Sequence, residues 1–281
     1  IGTLERLNNP SSIRFVHHDF RSPFNHLMFK IGHVDYILHI GASTHVDRSI
    51  ECPLDFILDN IVGTANVLAY AKNFCTKMMI YFGTDEIFGP ASVGVNHKEL
   101  DRYNSKNPYA ATKAGAEELC VAFHNTYNIP VLITHCMNVF GSKQHLEKYI
   151  PSTIRKLLNS QKVLIHSDST KTIPGSRFYT YVENVSKAVL FLLDNGKVGE
   201  KYNIVGEQEI DNYTLAKKIA ELIDRTLLYD FVDFHSSRPG HDLRYALDGS
   251  KLRGMGFTAD YDFNEALERT VRWYLKNPEW L

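Results

Sequence analysis

Apolar and polar positions along the chain fall into two alternating rhythms. VDYILHI (34–40) is a near-continuous apolar run of the kind buried on both faces of a parallel sheet. Helical spacing follows from about 53 to 74, opened by Pro53 and carried by Phe56, Ile57, Ile61, Val67 and Leu68. KMMIYF (77–82) predicts a second strand, and a loop rich in Gly, Asn and Ser runs to 107. Pro108 is placed to open a long helix to about 127, and IPVLITHCMNVFG (129–141) predicts a strand ending in a loop. The pattern continues with a helix near 149–159, a strand at 163–166, a polar loop at 167–176 and a strand then helix over 178–195 capped near Gly196. A strand at 201–206, a helix near 213–226, a loop and a last helix near 263–275 complete it. Strands alternating with amphipathic helices predict an α/β fold with a parallel sheet and crossover helices. The shorter elements of the second half predict a smaller lobe built on that scaffold.

Composition narrows the class. With 281 residues, 44% hydrophobic and 22% charged, the chain can bury a sizeable core in one large α/β unit or two interleaved ones. A net charge of −1 gives no basis for a nucleic-acid or anionic-membrane partner. No apolar run approaches a membrane span, and no signal peptide is visible, although the chain opens on Ile1 without a methionine. Cys52, Cys75, Cys120 and Cys136 show no ligand spacing and read as reduced core residues of a cytoplasmic protein. Histidines such as His17, His18 and His97 form no ligand pattern, so no metal is expected.

Candidate chemistry sits at predicted strand ends. In NPYAATKAG (107–115), Tyr109 and Lys113 are four apart and share one helix face. An ammonium beside a phenol favours phenolate and makes the tyrosine a general base, although a solvated surface pair has the same spacing. YFGTDEIFGP (81–90) places Thr84, Asp85 and Glu86 where a strand ends. Consecutive strand residues face opposite sides, so both acids reach one ligand only if the strand turns there; Gly89 and Pro90 fit a turn. HIGASTHVDRS (39–49) leaves another strand end with small residues. In such sheets, ligands bind at the carboxyl ends of the strands.

Taken in order, HIGASTHVDRSI, DNIVGT, GTDEIFG, NPYAATKAGAE, CMNVFG, EKYIP, YNIVG and RPGHDLRYALD resemble the extended short-chain dehydrogenase/reductases over nearly the whole chain. Within them the chain is similar to nucleotide-sugar 4,6-dehydratases of the dTDP-glucose type. The resemblance implies a Rossmann-like, doubly wound sheet holding NAD, with a nucleotide sugar as substrate. It implies that Tyr109 takes the proton of the sugar 4-OH, Thr84 holds O4, and Lys113 orients the nicotinamide ribose. Glu86 matches the base at C5 and Asp85 the acid that helps the C6 hydroxyl leave. Asp19, Phe20, Ile40, Gly41, Ala42, Ser43 and Asp59 match cofactor positions. Thr44, Asn138, Glu147, Lys148, Asn203 and His241 match substrate contacts, Leu164, Ile165 and His166 a strand along the base, and Arg177 and Arg238 a pyrophosphate clamp.

The implied organisation is a cofactor-binding part at 1–140, rejoined by about 177–205. A substrate lobe is implied at about 141–176 and 206–281, and a homodimer through a four-helix bundle of helices 53–74 and 109–127. Some positions depart from the pattern. GTLERL (2–7) resembles the segment just after the family's second strand, so the opening strand and its glycine-rich loop, roughly 35 residues in such folds, are missing from this sequence, as expected of a truncated or fragmentary chain. Ser43 stands where the family has Glu, His135 where it has Arg and Val139 where it has Asn, and the loop before Arg177 is longer. The alternatives are a 4-epimerase or decarboxylase of the same family, against which the acid pair argues, or a non-catalytic relative without cofactor.

Overall fold

The computed structural model describes residues 12–25, 30–234 and 242–281; GTLERL, Arg238 and His241 lie outside the described residues. In chain order the elements are β1 (Val34–His39), α1 (Val46–Glu51), α2 (Pro53–Phe56) and a π-helical turn (Ile57–Val62) running into α3 (Gly63–Phe74). Then come β2 (Cys75–Thr84), a 3-10 turn (Asp85–Phe88), α4 (Pro108–Tyr127), β3 (Val131–Cys136), β4 (Val139–Phe140), α5 (Tyr149–Leu158) and β5 (Val163–Ser167). The remainder is β6 (Ser176–Phe178), β7 (Thr180–Tyr181), α6 (Val182–Asn195), β8 (Lys201–Ile204), β9 (Glu209–Asp211), α7 (Asn212–Leu222), β10 (Tyr229–Asp233), α8 (Ser250–Gly254) and α9 (Phe263–Lys276).

The expected parallel sheet is present, in the order β1-β2-β3-β8. Its register brings Thr84 beside Cys136 and His135 beside Asn203, so the carboxyl ends of β2, β3 and β8 lie at one level. β2 and β3 are apolar because they are covered on both faces. One layer packs α3 and α4 side chains (Leu68, Ala116, Cys120) on Met79, Tyr81 and Ile133. The other packs α6 (Val185, Ala188, Val189, Leu192) on Ile80 and Leu132. A third cluster, built from α5, α7, α9 and β5, forms the core of the second half, where β5 pairs with β10 in parallel. Burying each large aliphatic side chain in these layers contributes about 1.5–3 kcal/mol.

Several expectations are corrected. β1 is not buried on both faces: it is an edge of the four strands, and Tyr36, Leu38 and Ile40 are exposed along it. The predicted helix at 53–74 contains a π turn, and α1, for which no helix is predicted, precedes it. β9, β10 and α8 were too short and too irregular to carry a periodic signal. Of the cysteines, Cys120 is buried, but Cys52 is exposed between α1 and α2, where the chain changes direction.

After β8 the backbone passes close to the strand-end segment at Tyr179. A Cβ added to Gly206 would lie 2.2 Å from the Tyr179 carbonyl oxygen, a backbone atom that cannot rotate away. Gly206→Ala is expected to cost about 2 kcal/mol through overpacking and to lower the melting temperature by roughly 5 °C, measured by circular dichroism.

Candidate active site

A cleft of about 350 Å³ opens at the carboxyl ends of the strands, and Ile40, Ala42, Thr44, Thr84, Asp85, Glu86, Tyr109, Lys113 and Asn138 all line it. A contiguous recess of about 170 Å³ adds Glu147, His166, Arg177 and Tyr245. The three strand-end segments singled out in the sequence therefore converge.

The acid pair is placed by the end of β2. The strand stops at Thr84 and turns at once into the 3-10 segment, closed by Gly89 at a φ of 73°, so both carboxyls face one cleft. The Glu86 N–H donates to Thr84 Oγ1 at 3.4 Å, and Thr84 Oγ1 donates to Asp85 Oδ1 at 3.1 Å. The two environments differ. Asp85 is buried, and its Oδ2 has no hydrogen-bond partner among the described residues. Glu86 is half-buried and accepts from Asn107 Nδ2 at 3.0 Å. Burial, then the neighbouring Glu86 charge, push the Asp85 carboxyl up to about 7, against a smaller opposing effect of Arg177.

A raised carboxyl pKa has a sign for stability. Asp85 holds its proton to about pH 7 in the fold but only to about 3.8 when unfolded, so the native state binds the extra proton between those values. Stability therefore falls as pH rises through that window. Asp85→Asn removes the buried charge, and the variant is expected to exceed the wild type at pH 8 by on the order of 2 kcal/mol. The difference closes toward pH 4, as melting curves at the two pH values will show.

Tyr109 and Lys113 lie in the first turns of α4. Asn107 caps that helix, accepting from the Ala110 N–H at 2.8 Å, and Ser49 Oγ accepts from the Tyr109 N–H at 3.1 Å. Both side chains are buried, and the Tyr109 phenol is hydrogen-bonded to Thr84. Burial and then the Glu86 charge raise the phenol pKa, partly offset by Thr84. The expected lowering by Lys113 is not what governs this arrangement: its ammonium donates to the Phe82 carbonyl at 2.5 Å and sits 4.3 Å over the Tyr81 ring. Burial brings Lys113 itself down to about 8.

Of the other cofactor candidates, Ile40 and Ala42 face the cleft. Gly41 packs on Phe20, with a built Cβ 3.3 Å from that ring. Ser43 is turned into the wall, its Oγ donating to Asp59 at 2.5 Å and its N–H to Asn60 at 2.8 Å. Asp19 is exposed and held by a bidentate Arg21. The apolar side chains of Ile40 and Ala42 beside Lys113, whose ammonium has three donors with one of them on Phe82, fit a nicotinamide ribose.

Among the substrate candidates, Thr44, Asn138 and Lys148 line both parts of the cleft. Lys148 Nζ reaches Thr44 Oγ1 at 3.5 Å, and Glu147 pairs with Arg48 at 3.4 Å across the mouth. Arg177 lines the recess, but its guanidinium donates to the carbonyls of Ser176, Leu243 and Asp242 and stacks on Tyr245. Two expectations are corrected. Ile165 is fully buried in the core of the second half, because alternate residues of β5 face opposite ways; Leu164 is outward and His166 lines the recess. Asn203 is fully buried and reaches no part of this cleft, being bonded to His135 and to the His97 and Asp248 carbonyls.

Sequence reasoning missed Asn107, Ser49 and Asn60. Asn60 is buried and ties Ser43 to Thr112 of α4. Asn107 before Pro108 is a helix-start signal that could have been read. Ser49 and Asn60 act through tertiary contacts that no local pattern announces.

A buried tyrosine and lysine facing a strand-end hydroxyl, at the carboxyl edge of a parallel sheet, define a dinucleotide-dependent enzyme of the α/β class. The chain belongs to the NAD dependent epimerase/dehydratase family, whose model matches residues 3–205. It is 36% identical over 263 residues to the dTDP-glucose 4,6-dehydratase of Haemophilus influenzae, covering 86% of this chain and 77% of that protein. It is 34% identical over 282 residues to the human dTDP-D-glucose 4,6-dehydratase, covering 98% and 78%. Among solved structures it superposes on the dTDP-glucose 4,6-dehydratase DesIV of Streptomyces venezuelae, with NAD and TYD bound, at a TM-score of 0.86 and 33% identity, covering 95% and 81%.

Proposed function

We propose that this protein is an NAD-dependent nucleotide-sugar 4,6-dehydratase converting dTDP-glucose or UDP-glucose to the 4-keto-6-deoxy sugar. One observation carries the reading: two adjacent carboxyls of unlike environment, Asp85 and Glu86, face the cleft that also holds Tyr109 and Lys113. When bound, NAD would supply the hydride acceptor for C4 and the hydride donor for C6, so that the cycle would have no net redox change. Lys113, with Ile40 and Ala42, would hold its nicotinamide ribose.

The chain's own residues move the protons. Tyr109, acting as its phenolate, takes the proton of the 4-OH while the Thr84 hydroxyl holds O4. The 4-ketone acidifies the C5 hydrogen, and Glu86, the more accessible carboxylate, removes it and, after exchange with solvent, returns a proton to C5 when hydride reaches C6. Asp85, whose burial keeps a proton near neutral pH, passes that proton to the departing C6 hydroxyl, which leaves as water. Thr44, Asn138, Glu147 and Lys148 line the path to the recess with His166 and Arg177, where the diphosphate and base would lie. With NAD and either nucleotide sugar, a 4-keto-6-deoxy product is expected without accumulation of NADH, followed by NMR and absorbance. Failure of both sugars, and of other nucleotide hexoses, overturns the reading.

The same reading includes a cofactor-binding part and an interleaved substrate lobe, a cytoplasmic location in keeping with four free thiols, and a homodimer. Ile50, Leu54, Ile57, Leu58 and Val62 are exposed along α1, α2 and the π turn, which supports a bundle interface on that face. Leu54→Asp with Leu58→Asp is expected to halve the mass measured by light scattering; an unchanged mass contradicts this interface.

A further inference from the structure

Directly beneath the acid-bearing strand end lies a fully buried polar cluster that the reaction above does not use. His135 of β3 and Glu117 of α4 have no exposed side-chain surface. His135 Nε2 lies 3.0 and 3.1 Å from the two Glu117 oxygens, and its Nδ1 lies 2.9 Å from Asn203 Oδ1. The Asn203 amide is oriented by two carbonyls: Nδ2 donates to His97 O at 3.1 Å and to Asp248 O at 3.0 Å. Its oxygen therefore faces the histidine.

Both partners of the ring are acceptors, so both ring nitrogens must donate. An imidazole that donates twice is an imidazolium. Glu117 is a carboxylate for the same reason: besides His135 it accepts from Lys201 Nζ at 2.8 Å and from the Tyr103 hydroxyl. Burial opposes that charge, but His135 and Lys201 outweigh it and hold Glu117 at about 2. The groups facing the ring are thus Glu117 from α4 and Asn203 from β8. Beyond them lie Lys201 on Glu117, and Tyr103, Glu99 and His97 from the 89–107 loop. Glu99 accepts from the Asn203 N–H at 3.2 Å, and Phe88 stands between His97 and His135.

The location gives the pair its consequence. A Cβ on Gly83 would meet the His135 ring at 3.0 Å and Glu117 Oε2 at 3.2 Å, so the pair bears on the residue before Thr84. Glu117 is one helical turn beyond Lys113 and two beyond Tyr109, on the same face of α4. His135 immediately precedes the Cys136–Asn138 segment of the cleft wall. We propose that His135 is a positioning residue: its imidazolium, clamped to Glu117, fixes α4 against the ends of β2 and β3 and so sets the approach of Tyr109 to Thr84. The clamp acts on the catalytic geometry and leaves the distant nucleotide contacts alone, so its loss falls on kcat and spares KM.

The kinetic part rests on the dehydratase reading; the charge does not. Long-range ¹⁵N–¹H NMR of the whole wild-type protein at pH 7.5 is expected to show one histidine with both ring nitrogens protonated, absent from His135→Gln. A single-tautomer neutral ring at that position overturns the proposal whatever the activity. His135→Gln is expected to lose about tenfold in kcat with KM within about twofold, a displacement effect of modest size. His135→Arg, which keeps the charge, is expected to recover at least half of wild-type kcat. Unchanged kcat in the glutamine variant, or a loss carried by KM, overturns the clamp. Where His135→Gln does not fold, His135→Arg decides: folded with near-normal kcat it supports the proposal, and folded with a tenfold loss it contradicts it. A wild type inactive on every nucleotide sugar refutes the dehydratase reading instead, and the spectrum still decides the charge.

Discussion

Tyr109→Phe is expected to lower turnover by about a thousandfold or more while leaving nucleotide-sugar affinity within a few-fold. The phenol oxygen is the group bonded to Thr84 at the floor of the cleft, and a ring without it fills the same buried space. General acid–base groups contribute about 10²- to 10⁴-fold. Because burial and Glu86 raise the phenol pKa, the phenol must give up its own proton before it can take that of the 4-OH, and turnover is expected to rise with pH. Single-turnover kinetics with substrate-binding titrations separate the two effects. A variant with near-normal turnover removes Tyr109 from the mechanism.

Glu86→Gln has an effect that is as large but more selective. The amide keeps the hydrogen bond to Asn107 and the shape of the 3-10 turn, and it loses the one accessible carboxylate of the pair. Oxidation at C4 is expected to remain measurable, while exchange of the C5 hydrogen with solvent deuterium drops by at least about 10²-fold. Unchanged exchange would falsify the assignment of the base and move it to Asp85. Removing the Glu86 charge also removes one of the causes that raise Asp85 and Tyr109, so both groups are expected to titrate lower in the variant.

How far the sequence announced this site depends on whether local pattern or tertiary contact places each residue. Tyr109 and Lys113 were legible because helical spacing fixes their common face, and Pro108 fixes where the helix begins. Asp85 and Glu86 were legible because Gly89 signals the turn that brings two neighbours to one side. Ile165 and Asn203 were misplaced because motif correspondence says nothing about which face a strand residue takes or which carbonyls already engage an amide. The state of Tyr109 was misread because a four-residue spacing to Lys113 does not reveal that the ammonium turns to the Phe82 carbonyl. β10 and β9 escaped because strands of five and three residues carry too few alternations to show a period.

The central claim is that one cleft oxidises C4, eliminates water across C5 and C6, and reduces C6 of a single sugar. The most direct measurement uses nucleotide-linked glucose carrying deuterium at C4, with NAD and the wild-type protein. The account predicts a 4-keto-6-deoxy product with that deuterium at C6, a solvent-derived hydrogen at C5 and no net NADH. Deuterium retained at C4, with the C4 centre inverted or unchanged, contradicts it.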